Sequence, residues 1–139
     1  MHKTTLLVCL ALAALASCSH DRPLSRDELQ SKLISAESLA SETNTFLQFV
    51  RQGRATDPYS NGHIEYLSLE IGRIAKELHE AHPPADAEPQ YRKGLSQVDA
   101  LAAELNQLRG RIQRRDELAH DQEQIAGIRD TLQQAVSSL

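Results

Sequence analysis

The chain has 139 residues, which suffices for one domain of ordinary size but not for two. Its formal net charge is −4, and an acidic balance of this kind argues against a nucleic-acid partner. Hydrophobic residues make up 40% of the chain and aromatic residues only 4%, a composition that favours packed helices over sheets and excludes extensive disorder. Both cysteines, Cys9 and Cys18, lie near the start, so the remaining chain offers no disulfide framework and no cysteine-based metal site.

The start of the chain follows the pattern of a bacterial export signal that ends in a cysteine. After a short positive segment, residues 4–16 are uncharged and mostly apolar. This run is shorter than the roughly 20 apolar residues that a membrane-spanning helix needs, and it has the length of the apolar part of a signal peptide. The sequence that follows, Leu15-Ala16-Ser17-Cys18, resembles the lipobox of bacterial lipoproteins.

This resemblance implies a lipid anchor. In bacterial lipoproteins a signal peptidase cuts before the cysteine, and the cysteine thiol carries a diacylglycerol. By this resemblance residues 1–17 would be removed. Cys18 would then hold the chain to a membrane, with residues 18–24 as a tether. Ser19 stands where an aspartate favours the inner membrane, so the resemblance also implies the periplasmic face of an outer membrane. The alternative is an ordinary secretory signal cut after Ala16, which leaves a free thiol on a secreted protein.

The first predicted helix has a clear start and a clear stop. Ser25 and Glu28 are spaced as a capping box, in which each side chain bonds the backbone of the other residue. Gly53 is a natural stop because glycine adopts the left-handed conformation that ends many helices. Apolar or small side chains recur in steps of four and three, the spacing of one helical face. The sequence therefore predicts a helix over 26–52 whose buried face consists of Leu29, Leu33, Ala36, Ala40, Thr43, Leu47 and Val50.

Turn-forming residues separate two further helices. Residues 53–62 contain Gly, Asp-Pro and Asn-Gly, all of which favour turns. Helix two is expected to begin near Pro58 and to end before the His-Pro-Pro sequence at 82–84, because a residue that precedes proline resists helical angles. Helix three is expected to have Pro89 in its first turn. The expected capping residues are Asp57 for helix two and Asp86 or Glu88 for helix three.

The apolar spacing slips between Ile112 and Leu118, which lie six residues apart and fit neither a step of three or four nor one of seven. If Gly110 and the charged residues beside it form a turn, four helices of similar length result, and their short connections make neighbours antiparallel. We therefore predict an all-α domain over 25–139, an antiparallel up-down bundle of four helices. The alternative is three helices with one long C-terminal helix that contains a stutter, an arrangement typical of a self-associating coiled-coil lipoprotein.

Four arginines lie within residues 109–115 of this otherwise acidic chain. In an up-down bundle anchored at its start, this turn and the 53–62 connection share the end that lies farthest from the membrane. We expect that end to contact an envelope protein or the cell wall, although arginines late in a helix also complement its dipole and commonly form a solvated face. The residues expected to bind the partner are Tyr59, Arg109, Arg111, Arg114 and Arg115.

His79 and His82 are the candidate metal ligands. They lie three residues apart on one helical face, and two imidazoles so placed can share a Zn²⁺ or Cu²⁺ ion. A specific site generally needs three or four converging groups, so surface histidines near a helix end are the simpler interpretation.

No sequence motif indicates catalysis. The chain beyond Cys18 has no cysteine nucleophile, no Gly-x-Ser-x-Gly sequence and no phosphate-binding glycine loop. We therefore expect no enzyme activity and no cofactor besides the covalent lipid on Cys18. The prediction is an envelope lipoprotein whose helical domain binds a partner or has a structural role. The alternatives are a histidine-based metal-binding periplasmic lipoprotein and the coiled-coil lipoprotein described above.

Overall fold

The computed structural model describes residues 23–139, which form four α-helices joined by short connections. The predicted signal sequence and Cys18 lie outside the described residues. Within 23–139 the only strand-like pairing is an isolated bridge between Pro23 and His82. The helices are α1 (Arg26–Arg51), α2 (Asp57–His79), α3 (Glu88–Leu108) and α4 (Leu118–Ser137), and a short 3-10 helix, Arg115–Glu117, precedes α4.

Helix α1 begins and ends as the sequence predicts. The Ser25 hydroxyl accepts a hydrogen bond from the Glu28 amide at 3.1 Å, and the Glu28 carboxylate accepts one from the Ser25 amide at 2.8 Å. Gly53 stops the helix in the left-handed conformation, with a φ of +69°, and its amide donates to the Val50 carbonyl at 2.9 Å. Every residue of the predicted stripe, from Leu29 to Val50, is buried.

Helices α2 and α3 begin without the side-chain caps that the sequence suggests. The N-cap residues are Thr56 and Ala87, and neither side chain bonds the first turn. Each helix instead has a proline in its first turn, which presets φ and leaves one amide fewer to satisfy. Asp57 and Glu88 are each the first residue of their helix, where a negative charge favours the positive end of the dipole. The predicted capping by Asp57, and by Asp86 or Glu88, is therefore wrong.

A turn separates α3 from α4, which confirms the four-helix prediction and excludes one long C-terminal helix. Helix α3 ends at Leu108, whose carbonyl accepts hydrogen bonds from the amides of Arg111 and Ile112 at 3.0 and 2.8 Å. The Ile112 side chain folds back and is buried in the core. An apolar residue anchored within the turn explains why the apolar spacing breaks before Leu118. The coiled-coil alternative loses the continuous helix on which it rested.

The four helices form a closed ring around one apolar core. Consecutive helices are neighbours, and α1 completes the ring by packing most extensively against α4. At one end, the Leu24 amide donates to the carbonyl of His82 at 3.0 Å, which joins the start of α1 to the α2–α3 connection. The opposite end is called the distal end and consists of the α1–α2 connection, the turn 109–117 and the adjoining halves of the helices. Arg115 in the turn and Asp57 at the start of α2 form an ion pair at 3.8 Å.

Helices α1 and α3 approach each other closely at Gly94. A β-carbon placed on Gly94 would lie 2.5 and 2.7 Å from the two δ-carbons of Leu33, closer than such atoms pack. Both residues are buried. The close approach of the two helices therefore requires a glycine at this position, despite the low helix propensity of glycine.

Candidate binding site at the distal end

The distal turn contains the four arginines that the sequence singles out, and three of them lie at the surface. The guanidinium groups of these three lie 3.2 to 3.8 Å from carboxylates. The positive charge of the distal turn is therefore smaller than the sequence alone suggests. Exposed pairs of this kind contribute little to stability. Between the turn and α2 is an open, polar groove of about 460 Å³. The three pairs are Arg109–Glu65, Arg114–Glu117 and Arg115–Asp57.

The fourth arginine, Arg111, points into the bundle. Its guanidinium bonds the Asp121 carboxylate of α4 and lies 3.1 Å from the Glu104 carboxylate of α3. The Asp121 side chain is 0% exposed and that of Arg111 only 23%. Removing one member of a buried ion pair leaves a charge without its counterion, so such a contact holds its elements firmly together. Arg111 therefore fixes the distal turn to α3 and α4 and presents little surface to a partner.

Two carboxylates face this single guanidinium, and the pKa of Glu104 is raised as a result. Burial disfavours the ionised carboxylate, and the hydrogen bond and charge of Asp121 act in the same direction, so the pKa of Glu104 rises to about 7. The charges of Arg111 and His120 oppose this rise without cancelling it. In the described part of the chain, Asp121 Oδ2 is buried without a hydrogen-bond partner. A proton on Glu104 would remove the repulsion between the two carboxylates.

Aromatic side chains gather where α1 and α2 meet at the distal end. The chain has two phenylalanines and three tyrosines, and of these only Tyr91 lies elsewhere, in the core. Tyr59 and Tyr66 are 54% and 49% exposed. Tyr59 borders an open groove of about 520 Å³, which we call the aromatic groove, and Tyr66 lies just outside its lining. The aromatic groove is lined by Ser41, Glu42, Thr45, Phe46 and Phe49 of α1 and by Tyr59 and His63 of α2.

The rings of the aromatic groove contact one another in a connected series. Phe46 lies edge-on to Tyr59, with centroids 6.0 Å apart and planes at 70°, and its centroid lies 4.4 Å from that of His63. Tyr59 and His63 stack with an interplanar angle of 14° and a centroid distance of 5.7 Å. Tyr66 continues the series, 6.0 Å from His63. These contacts join the rings of α2 to the buried Phe46 of α1 in one cluster, in which Tyr59 offers the most exposed face.

Two charged side chains border these rings. The Glu42 carboxylate lies 3.2 Å from His63 Nε2, and the Glu42 side chain is 45% exposed. At the other edge, the Arg54 guanidinium lies 5.0 Å from the centroid of the Phe49 ring, which is a cation–π contact. Glu42 is thus the acidic side chain of the groove lining, and its carboxylate pairs with His63.

Of this group, Tyr59 alone is among the residues that the sequence predicts to bind the partner. A signal for the others is present in their spacing. Tyr59, His63 and Tyr66 are four and three residues apart, which places them on one face of α2. Phe46 and Phe49 lie three residues apart near the end of α1. What the sequence does not provide is the pairing of these two faces across the α1–α2 interface.

The candidate metal ligands His79 and His82 lie at the other end of the bundle. His79 Nε2 lies 2.9 Å from an Asp99 carboxylate oxygen, and the His82 carbonyl accepts the hydrogen bond from Leu24. No group of three or more histidine, cysteine, aspartate or glutamate side chains suited to a metal ion occurs among residues 23–139. His79 thus has a carboxylate neighbour, but the residues described do not bring three such ligands together around the two histidines.

No helix within residues 23–139 is both long enough and apolar enough to cross a bilayer. The chain matches no protein-family description, no curated protein and no solved structure.

Proposed function

We propose that the protein is a lipid-anchored helical binding module of the bacterial envelope, with its binding surface at the distal end of the bundle. The anchor is a lipid on Cys18, which holds the protein to the periplasmic face of the outer membrane, as the lipobox resemblance implies. The observation that supports a binding role best is the position of the aromatic groove and the exposed arginines. Both lie at the end opposite Pro23, where the described chain begins. A lipid on Cys18 would thus hold these groups away from the membrane.

The length of the bundle determines how far the aromatic groove and the arginines would project from the membrane. Helix α1 has 26 residues, and a rise of about 1.5 Å per residue gives a length of about 39 Å. Tyr59 and Arg109 lie near the far end of that length, so an upright bundle anchored at Cys18 would carry them beyond the layer of lipid headgroups. A partner in the periplasm or the cell wall is therefore in reach, and the bundle serves as a rigid spacer.

The lipid anchor is tested by metabolic labelling of the native chain with radioactive or clickable palmitate. We expect label on the native chain and none on a Cys18→Ser variant, because only a thiol accepts the diacylglycerol. Membrane fractionation should agree with the labelling: we expect the native chain in the membrane pellet and the variant absent from it. An unlabelled native chain overturns the anchor, and equal labelling of the variant places the lipid elsewhere.

The binding role of the distal end is tested by photo-crosslinking in living cells. A photoreactive residue at position 61, beside the arginine turn, should capture a specific partner, and one at position 133 near the other end of the bundle should not. Replacing Arg109, Arg114 and Arg115 by alanine should remove the crosslink. The matched control replaces Arg73, Arg92 and Arg129, which lie outside the distal end, and should retain it. Equal capture at both positions, or capture unaffected by the arginine changes, contradicts the proposal.

A further inference from the structure

The aromatic groove has features that its role in folding does not require. About half of the surface of Tyr59 and of Tyr66 is exposed to water, although burial of an aromatic ring stabilises the folded state. Of the three tyrosines, only Tyr91 donates its hydroxyl to hydrogen bonds inside the core. Exposed aromatic rings that are connected to one another are characteristic of recognition surfaces.

The chemistry of the lining favours a cation. The exposed faces of aromatic rings carry negative electrostatic potential, and a carboxylate beside them adds to it. Glu42 supplies that carboxylate, with Tyr59 and His63 as parallel rings and Phe46 roughly perpendicular to Tyr59. The Arg54 guanidinium lies over the Phe49 ring at one edge, so the ring of Tyr59 is the face that a cation from outside would contact.

We propose that the aromatic groove binds a lysine or arginine side chain of a partner protein. The cationic head would lie between the ring of Tyr59 and the carboxylate of Glu42, and the methylene groups would contact Phe46 and Phe49. A groove of about 520 Å³ that is open along one side accommodates a single long side chain while the partner's backbone remains outside. The net charge of −4 attracts a basic segment from a distance, so the local and overall charges favour the same class of partner.

This inference rests on the proposed binding role of the distal end, and it is independent of the lipid on Cys18. It assigns the groove and the arginine turn different tasks. The groove takes a basic side chain, whereas Arg109, Arg114 and Arg115 pair with carboxylates of this chain and would contact acidic groups of a partner only by exchanging those pairs.

The test uses the full chain in micelles of an uncharged detergent, with backbone amide resonances as the readout. The probe is N-acetyl-lysine methylamide, and N-acetyl-norleucine methylamide is its uncharged counterpart. We expect the lysine derivative to shift the amides of Tyr59 and His63 saturably, with a dissociation constant on the order of 1–10 mM for one side chain. The norleucine derivative should give shifts about tenfold smaller, since it keeps only the apolar contacts.

Variants assign the effect to the groove. Glu42→Gln should weaken binding of the lysine derivative about tenfold, and Tyr59→Ala should abolish it. The matched controls are Glu70→Gln, a carboxylate of α2 paired with Arg73, and Tyr66→Ala, a tyrosine of the same helix outside the lining. Both controls should bind within about twofold of the native chain. Amide spectra of every variant show whether the bundle remains folded.

Several results overturn the inference. Equal shifts with the norleucine derivative indicate an apolar site without cation selectivity, and the absence of saturable shifts indicates no site. Tighter binding of tetramethylammonium than of the lysine derivative assigns the groove to a small quaternary amine instead. If any of these occurs while the distal arginine variants still lose their crosslink, the groove inference alone fails. If the crosslink also proves unspecific, the binding role of the distal end fails with it.

Discussion

The carboxyl group of Glu104 links the stability of the bundle to pH. Its pKa in the folded chain is about 7 against an ordinary value of 4.5, so between these pH values the folded state holds a proton that the unfolded state has lost. The free energy of unfolding therefore decreases as pH rises from about 4.5 to about 7. This group accounts for a decrease on the order of 2 kcal/mol. Asp121, Arg111 and His120 surround it and modulate the value.

A Glu104→Gln variant should remove this pH dependence, because glutamine stays neutral and keeps the shape of the protonated acid. We expect native and variant chains to unfold at similar urea concentrations at pH 5, and the variant to be the more stable of the two at pH 8. Glu88→Gln, at an exposed position of the same helix, serves as the control and should follow the native profile. An unchanged pH profile in Glu104→Gln would show that the acid is ionised in the folded state.

Gly94 gives a second prediction at the scale of one residue. Adding a methyl group there forces Leu33 or the α1–α3 spacing to shift, so Gly94→Ala should destabilise the bundle by about 1–3 kcal/mol despite the better helix propensity of alanine. Gly72 in α2 has no atom within 4 Å of a built β-carbon and is exposed. Gly72→Ala should therefore stabilise by about 0.5–1 kcal/mol. Urea unfolding of the two variants measures both effects, and stabilisation by Gly94→Ala would refute the close contact.

At the scale of elements, the capping box of α1 makes a separable contribution. Ser25→Ala removes the hydroxyl that accepts the Glu28 amide and should lower the free energy of unfolding by about 1 kcal/mol. Ser35, within the same helix, bonds only the Ser31 carbonyl one turn back. We expect Ser35→Ala to be neutral or slightly stabilising in thermal unfolding. A similar decrease in stability in both variants would mean that the Ser25 side chain does not act through the helix cap.

The helices themselves were predictable because apolar spacing and local signals agree. The α1 stripe, the Ser25 cap and the Gly53 stop each depend on neighbours within a few residues, and all three are confirmed. The caps of α2 and α3 were not predicted correctly, because proline in the first turn does the same task as a capping side chain. Local sequence signals identify that a helix begins more reliably than they identify which residue begins it.

The candidate site was less predictable because its parts lie far apart in sequence. Arg111 was grouped with its surface neighbours, and only the fold shows that Glu104 and Asp121 draw it inward. A signal existed for Asp121, which lies three residues after Leu118 and so on the apolar face of α4. The aromatic groove joins residues of α1 and α2, and their pairing follows from packing rather than from spacing.

At the scale of the whole molecule, the two ends of the bundle have different chemistry. The end near Pro23 contains the α2–α3 connection and the His79–Asp99 pair, whereas the distal end contains the arginine turn and the aromatic groove. An up-down bundle separates such groups simply through its connections, since alternate loops lie at opposite ends. The proposed anchor and the proposed partner would thus act on opposite ends of one rigid body.

The extensive packing of α1 against α4 also determines when this chain can fold during its synthesis. The earliest of the four helices to leave the ribosome finds its main neighbour only when the last has been translated, so the early segments have no complete core to join. For a protein exported as we propose, that delay keeps the polypeptide unfolded enough to be threaded through a translocation pore. The bundle would then close on the far side, once the final helix has crossed.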